Sequence, residues 1–358
     1  MVAYRFLMGG ETQQKVVAYQ QALARGEVEP GRYFGEGLGV RDVAGMGWEA
    51  FLETLVCTKR PQIFAESAVW GNGRDWSQAE LSILGDLSVA VPVRVYDNGE
   101  HAHPVVHKQP IGGTLCYVPG ALLQNGCGIE PADWAEVTEG GEIDVQGYYR
   151  LNERRLLPVL RHADRAAGAR GREAMITMPG LGCGQFAGPF RGRLGSVLLA
   201  VLVRLLEEHG AGLSNIRAVY YDPYRECENE RLEIGGISLQ VRPLAQGNAG
   251  KGQLCRPQAY EQSGDDFSGC DLFSLVAWDH VSWPGNDFYR GARVTDDGVK
   301  AAATDSMAVI TGVSGGYSPQ TYTYDPPAPF RDWAAVVEAR GVQLKVQGNC
   351  DVCGIDDF

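Results

Sequence analysis

The sequence predicts an α/β fold, a three-layer α/β/α sandwich on a mixed sheet, preceded by a mainly helical N-terminal extension. Three observations point there. Ala174 to Met178 is a short apolar run that reads as a buried strand. A turn from Pro179 to Gly188 follows, and after it Phe190, Leu194, Val197, Leu198, Val201, Leu202 and Leu205 repeat at the spacing of an amphipathic helix, ended by Gly210 or Gly212. Ile216 to Tyr221 then supplies a second buried strand. Strand, glycine loop, helix, strand is one right-handed parallel crossover.

Composition limits what such a fold can do. A chain of 358 residues, 44% hydrophobic, supports one large or two modest domains with a real core. A net charge of −12 repels phosphate backbones, so general nucleic-acid binding is not expected, and an anionic ligand must be held by backbone amides in a pocket. No run of 18 apolar residues occurs and the first ten residues are too short for a signal peptide, so we expect no membrane association. Nine cysteines, an odd and scattered set, fit reduced thiols and a cytoplasmic location. Cys350 and Cys353 form a lone CxxC, which without a second pair reads as incidental.

Taken in order, residues 1–85 form the extension, with helices at Thr12–Ala24 and Trp48–Leu55 joined by a glycine-rich turn over 35–45; a covering or partner-binding role is expected. Residues 86–335 form the main domain and 336–358 a C-terminal segment with an acidic tail. Leu87 to Tyr96 alternates as a strand. His101, His103 and His107 follow in a polar stretch that reads as a surface hairpin better than a metal site. Gly112 to Leu123 is a further strand and turn, and 125–147 is loop-like. A helix over 151–168 carries Pro158 as a kink or as its true first turn. Strands at Ile237–Arg242 and Leu272–Trp278 flank a polar loop, and one helix over 295–310 has Val299, Ala302, Ala303, Met307 and Ile310 on its apolar face.

The turn after the first core strand has four glycines between Gly180 and Gly188. Such a loop exposes N–H groups beside the positive end of a helix dipole, where a pyrophosphate can lie. It is neither a dinucleotide fingerprint nor a P-loop. Its wording, Met-Pro-Gly-Leu-Gly-Cys-Gly-Gln-Phe-Ala-Gly, resembles the phosphate loop of the macrodomains, and the likeness extends over residues 148–224. That resemblance implies ADP-ribose as ligand, with Gly180, Gly182, Cys183, Gly184, Gln185 and Phe186 around the pyrophosphate. It implies an aromatic on adenine, Tyr224 or Tyr221, and Asp266 of Gly-Asp-Asp-Phe accepting from the adenine amino group.

The densest constellation runs from Trp278 to Met307. Asp287, Asp296, Asp297 and Asp305 form a candidate catalytic patch; Asp296 and Asp297 can alternatively serve as helix caps, whereas Asp305 lies within the predicted helix. Asn286, Gly291 and Gly298-Val299 resemble the distal-ribose loop of macrodomains, but here follow the phosphate loop by about 100 residues. The chain therefore looks like a circularly permuted macrodomain. The Gly-Asn-Asp-Phe and Thr-Asp-Asp-Gly-Val-Lys-Ala-Ala-Ala-Thr-Asp wording is similar to the MavL-type hydrolases. That likeness implies hydrolysis of an ADP-ribosyl linkage on a protein side chain, arginine of ubiquitin being the acceptor it suggests, with no cofactor required. Two other readings stay open: a non-catalytic ADP-ribose reader, and a Mg²⁺-dependent hydrolase using the same aspartates as ligands.

Overall fold

The computed structural model of the protein describes residues 2–39, 42–63, 74–124 and 129–354. One nine-stranded sheet organises them. Its strands are β1 (Arg5–Gly9), β2 (Ser88–Asp97), β3 (Val106–Pro119), β4 (Glu173–Pro179), β5 (Ile216–Asp222), β6 (Glu230–Ile234), β7 (Ile237–Val241), β8 (Cys270–Trp278) and β9 (Cys350–Cys353). They lie in the order β9-β1-β2-β3-β8-β4-β5-β7-β6. Only β2 and β6 run against the rest, so seven strands end at one edge.

Helices cover both faces, as apolar strands buried on two sides require. On one face lie α5 (Val145–Gly168) and α6 (Leu194–His209), whose Leu156, Val159, Leu198 and Leu202 pack with Ile176, Val219 and Phe273. The other face carries α1 (Gly10–Ala24), α2 (Arg32–Leu38), α3 (Trp48–Val56), α4 (Gln78–Gly85), α7 (Asp296–Ala302), α8 (Ser306–Thr311) and α9 (Trp333–Arg340). The three layers expected from the sequence are present. No described helix is long and apolar enough to cross a membrane.

Several local expectations need correction. The glycine-rich turn over 35–45 begins inside α2, anchored by buried Phe34 and Leu38. Pro158 sits in the interior of α5, which starts earlier because Asp144 accepts from the N–H groups of Gln146 and Gly147. The helix after the glycine loop begins at Leu194, since Gln185–Phe190 forms a 3₁₀ turn broken at Gly188 (φ +53°). The predicted helix over 295–310 is two helices: at Ala303–Asp305 the chain instead bonds across to β2, through Tyr96 N–H to Ala303 and Asp305 N–H to Arg94.

The proposed boundaries at 85 and 335 also cut through a single sheet. β1 pairs with β2 and with β9, so the extension and the C-terminal segment each contribute a strand. Cys350 and Cys353 stand three apart on β9, where side chains alternate between faces, so the pair cannot chelate one ion.

Candidate functional site

Strands β3, β8, β4 and β5 are neighbours and parallel, so the loops after them meet at one edge, where open α/β sheets bind ligands. Residues 272–278 lie directly beside 174–178, with Leu272 opposite Met175 and Ser274 opposite Thr177. The two loops touch directly: the ring of Phe186 meets that of His280 edge-on, centroids 6.2 Å apart.

The glycines of the 180–188 loop do different work. Gly182 has φ +71°, and a Cβ there would lie 2.9 Å from the Ala121 nitrogen. At Gly188 a Cβ would lie 2.7 Å from the Leu123 oxygen. Both let this loop pack on the loop after β3. Gly180 is tied to the end of β5 by its N–H to Asp222 (3.1 Å). Gly184 is different: it is exposed and no atom lies within 4 Å of a Cβ built there. Its N–H has no acceptor among the described residues. Gln185 beside it is exposed, and Cys183 and Phe186 are half-buried. Burial first, then Glu226, pushes the Cys183 thiol up, which removes it as a nucleophile. The N-terminus of α6 is closed to an anion, because Glu226 already accepts from Gly195 N–H at 2.6 Å. Among the described residues, a pyrophosphate here rests on the loop amides.

Of the two aromatic candidates, Tyr221 is fully buried and donates to the Gly195 carbonyl (2.8 Å). Tyr224 is 55% exposed at the loop after β5, with φ +61° and Arg225 over its ring. Only Tyr224 can stack on a ligand. Asp266 requires correction: it precedes β8, at the opposite ends of the parallel strands from the glycine loop, and accepts from Ser268 N–H in its own turn. The carboxylate beside Tyr224 is Asp222, which accepts from Tyr224 N–H and Leu244 N–H; burial nonetheless raises its pKa.

The loop after β8 gathers the acids. Asn286–Arg290 is a 3₁₀ turn framed by Gly285 and Gly291, both left-handed at φ +96° and +80°. Thr295 caps α7 by accepting from Gly298 N–H, so the cap is neither aspartate. Asp287 accepts from Val294 N–H, Thr295 N–H and the Thr295 hydroxyl (2.8 Å). A Cβ at residue 298 would fall 1.9 Å from its Oδ1, which is why glycine stands there. Asp296 accepts from Ala277 N–H (2.8 Å) and pairs with Lys300. Asp297 is buried and accepts from Gly285 N–H (2.6 Å). Burial, then the charges of Asp287 and Asp279, raise its pKa well above the carboxylate range.

Asp305 does not join this group. It accepts from the N–H and guanidinium of Arg94, whose strand neighbour Gly112 adjoins Gly113, the partner of Leu272. Asp296 by contrast bonds at Ala277, five residues further along β8. The break after Ala302 carries Asp305 away from the loop edge.

The sequence reading missed several residues around this edge. Lys59, from the extension, donates to the His280 carbonyl (2.7 Å) and lies 4.0 Å over the Trp278 ring. Burial lowers its pKa to about 7 despite Asp279 and Asp297 nearby. The Arg60 backbone donates to the Val281 carbonyl and accepts from Trp283 N–H, on either side of Ser282, and Ile63 N–H donates to Asn286 Oδ1 (2.9 Å). Asp279 accepts from Val281 and Ser282 N–H groups. Beneath the loops, Arg155 donates to the Gly120 carbonyl (3.0 Å) and to Asp133, which also accepts from Leu122 N–H. His280 Nε2 stands 3.4 Å from Asp133, too far for a good hydrogen bond. The adjacent Arg154-Arg155 on an otherwise apolar helix face was the available signal; Lys59 offered none.

His107 bonds the Leu254 carbonyl from the β2–β3 hairpin, and His101 and His103 are exposed. Among the described residues, the trio whose ligand atoms fall within 4.8 Å of one another is Glu153, Glu208 and His209, away from the aspartates. The chain matches the family described as macrodomain effector MavL over residues 4–330. No curated protein matches it.

Proposed function

The chain belongs to the MavL macrodomain effector family, and from that premise we propose that it hydrolyses an ADP-ribosyl linkage on a protein arginine, with modified ubiquitin the candidate substrate. One observation carries the reading. Asp287, Asp296 and Asp297 sit at the same sheet edge as the Gly184 loop and Tyr224, and Asp297 is buried among the charges of Asp287, Asp279 and Asp296.

In this scheme Tyr224 stacks on adenine, the Gly184–Phe186 turn holds the pyrophosphate, and the distal ribose reaches Asn286 and the acids. Asn286 Oδ1 is engaged by Ile63, which fixes the amide; its NH₂, unbonded among the described residues, would donate to a ribose hydroxyl. Cleavage at C1″ breaks the bond to the arginine nitrogen and forms one to water. The oxocarbenium-like transition state is stabilised by the surrounding carboxylates. A carboxylate takes the water proton and delivers it to the departing guanidine, which leaves as guanidinium. Asp297 suits that transfer, because its raised pKa brings it toward the working range. The acidic patch also draws a cationic arginine toward the site.

Release of ADP-ribose from arginine-modified ubiquitin, followed with and without EDTA, tests the reading. We expect release that EDTA leaves unchanged, and turnover about 10²–10⁴-fold lower for Asp297→Asn with ADP-ribose still bound. Binding without release assigns a reader; loss of release with EDTA assigns a metal-dependent hydrolase.

A further inference from the structure

At the end of the sheet opposite the ligand loops, β2, β3 and β8 floor a groove of about 500 Å³. Three guanidiniums line it: Arg170 and Arg172, at the start of β4, and Arg256. They face one carboxylate, Asp271, which pairs with Arg170 (2.8 Å) and Arg172 (2.6 Å). Arg172 also donates to the Cys270 carbonyl, and Arg256 to the Gln109 carbonyl. The side chains of Arg170 and Arg172 remain 53% and 40% exposed. Each arginine is thus anchored at one side of its fork, with further N–H donors directed outward.

A cationic groove on a chain of net charge −12 runs against the field of the whole molecule. Its lining is mixed: exposed Pro92 and Pro110 and buried Ile111 and Leu272 supply an apolar part beside the arginines. We propose that this groove docks an acidic, extended segment of a partner protein, carboxylates on the arginines and apolar side chains on the apolar part. Its volume lies within the roughly 300–1,000 Å³ of ligand pockets. Nucleic acid fits less well, because three cations neutralise few phosphates while the remaining surface repels the others. Guanidinium forks also match carboxylates two-point to two-point. The inference is independent of the activity proposed above, since the groove lies away from the ligand loops.

Fluorescence anisotropy of a fluorescein-labelled peptide of alternating glutamate and valine, with a lysine–valine peptide as control, tests it on the full chain. The acidic peptide is expected to bind, and the lysine peptide not. Affinity should weaken as salt rises from about 50 to about 300 mM. Arg170→Glu with Arg256→Glu should weaken it about tenfold or more, as loss and reversal of partly exposed ion pairs predict. Arg256→Ala alone, on an exposed side chain, gives a smaller loss in the same direction if the double variant does not fold. The thermal shift given by ADP-ribose should be unchanged in these variants. No binding, equal binding of both peptides, or unchanged affinity in the variants would overturn the proposal. So would preferential capture of a labelled oligothymidine that the same substitutions abolish.

Discussion

Asp297 combines burial, three neighbouring carboxylates and a single N–H donor, and these pull stability and activity apart. A carboxyl whose folded pKa is raised above its unfolded value favours the fold fully only below the unfolded pKa. That contribution is lost as pH rises through the folded pKa. Asparagine keeps the acceptor for Gly285 and carries no charge. Asp297→Asn should therefore melt higher than the parent at neutral pH, the gap closing toward acid, while turnover falls. A lower melting temperature at neutral pH would contradict the burial argument. Asp305 gives the opposite pattern: removing its bonds to Arg94 with Asp305→Ala should cost about 1–3 kcal/mol of stability and leave turnover near that of the parent. The glycines divide in the same manner. Gly182→Glu meets backbone at 2.9 Å and destabilises the fold, so the informative substitution is Gly184→Glu. It should fold normally and abolish the thermal shift from ADP-ribose; a retained shift would move the pyrophosphate elsewhere.

Elements were legible where one segment carries its own pattern. Ala174–Met178, the glycine turn and the 216–221 strand are local signals, and they placed β4, its loop and β5 correctly. The break between α7 and α8 was not legible, because Lys300–Asp305 reads as good helix and what interrupts it is β2, some 200 residues away in sequence. Asp266 was misplaced for a related reason: a Gly-Asp pair resembles a ligand turn, but only the strand direction tells which end of the sheet it occupies. Lys59 was invisible because its partners, His280 and Trp278, are supplied by tertiary structure. Its segment nonetheless shapes the site. Lys59→Met leaves the His280 carbonyl without its donor, and should weaken ADP-ribose binding more than it lowers the melting temperature. Tyr224 is a clearer case. Loss of an aromatic stacked on a base costs about 1–3 kcal/mol, so Tyr224→Ala should weaken ADP-ribose binding by roughly tenfold in calorimetry, and unchanged affinity would remove it from the adenine site.

Across the whole molecule, charges hold the loop edge together from below. Asp86 accepts from Arg154, Arg155 and Lys15, and Asp133 from Arg155 and Leu122, all but Lys15 being nearly or fully buried. Arg155 passes this on to the loop after β3 through Gly120, and that loop packs on Gly182. The arginines beside them lower the pKa of both carboxyls, outweighing burial. A carboxyl depressed in the folded state contributes stability that is complete above its unfolded pKa of about 4 and lost as pH falls toward the folded value. The protein should therefore lose stability steeply below about pH 4. Asp133→Asn removes one partner of a buried ion pair and leaves Arg155 with less compensation, a cost of about 3–5 kcal/mol at neutral pH. Because the same change slackens the loop under Gly182, the ADP-ribose thermal shift should shrink as well. Denaturant melts from neutral to acid pH separate the two effects: the variant should start lower and show a shallower acid slope. An acid slope equal to that of the parent would mean that other carboxylates, and not this network, govern how the sheet and its loops stay joined.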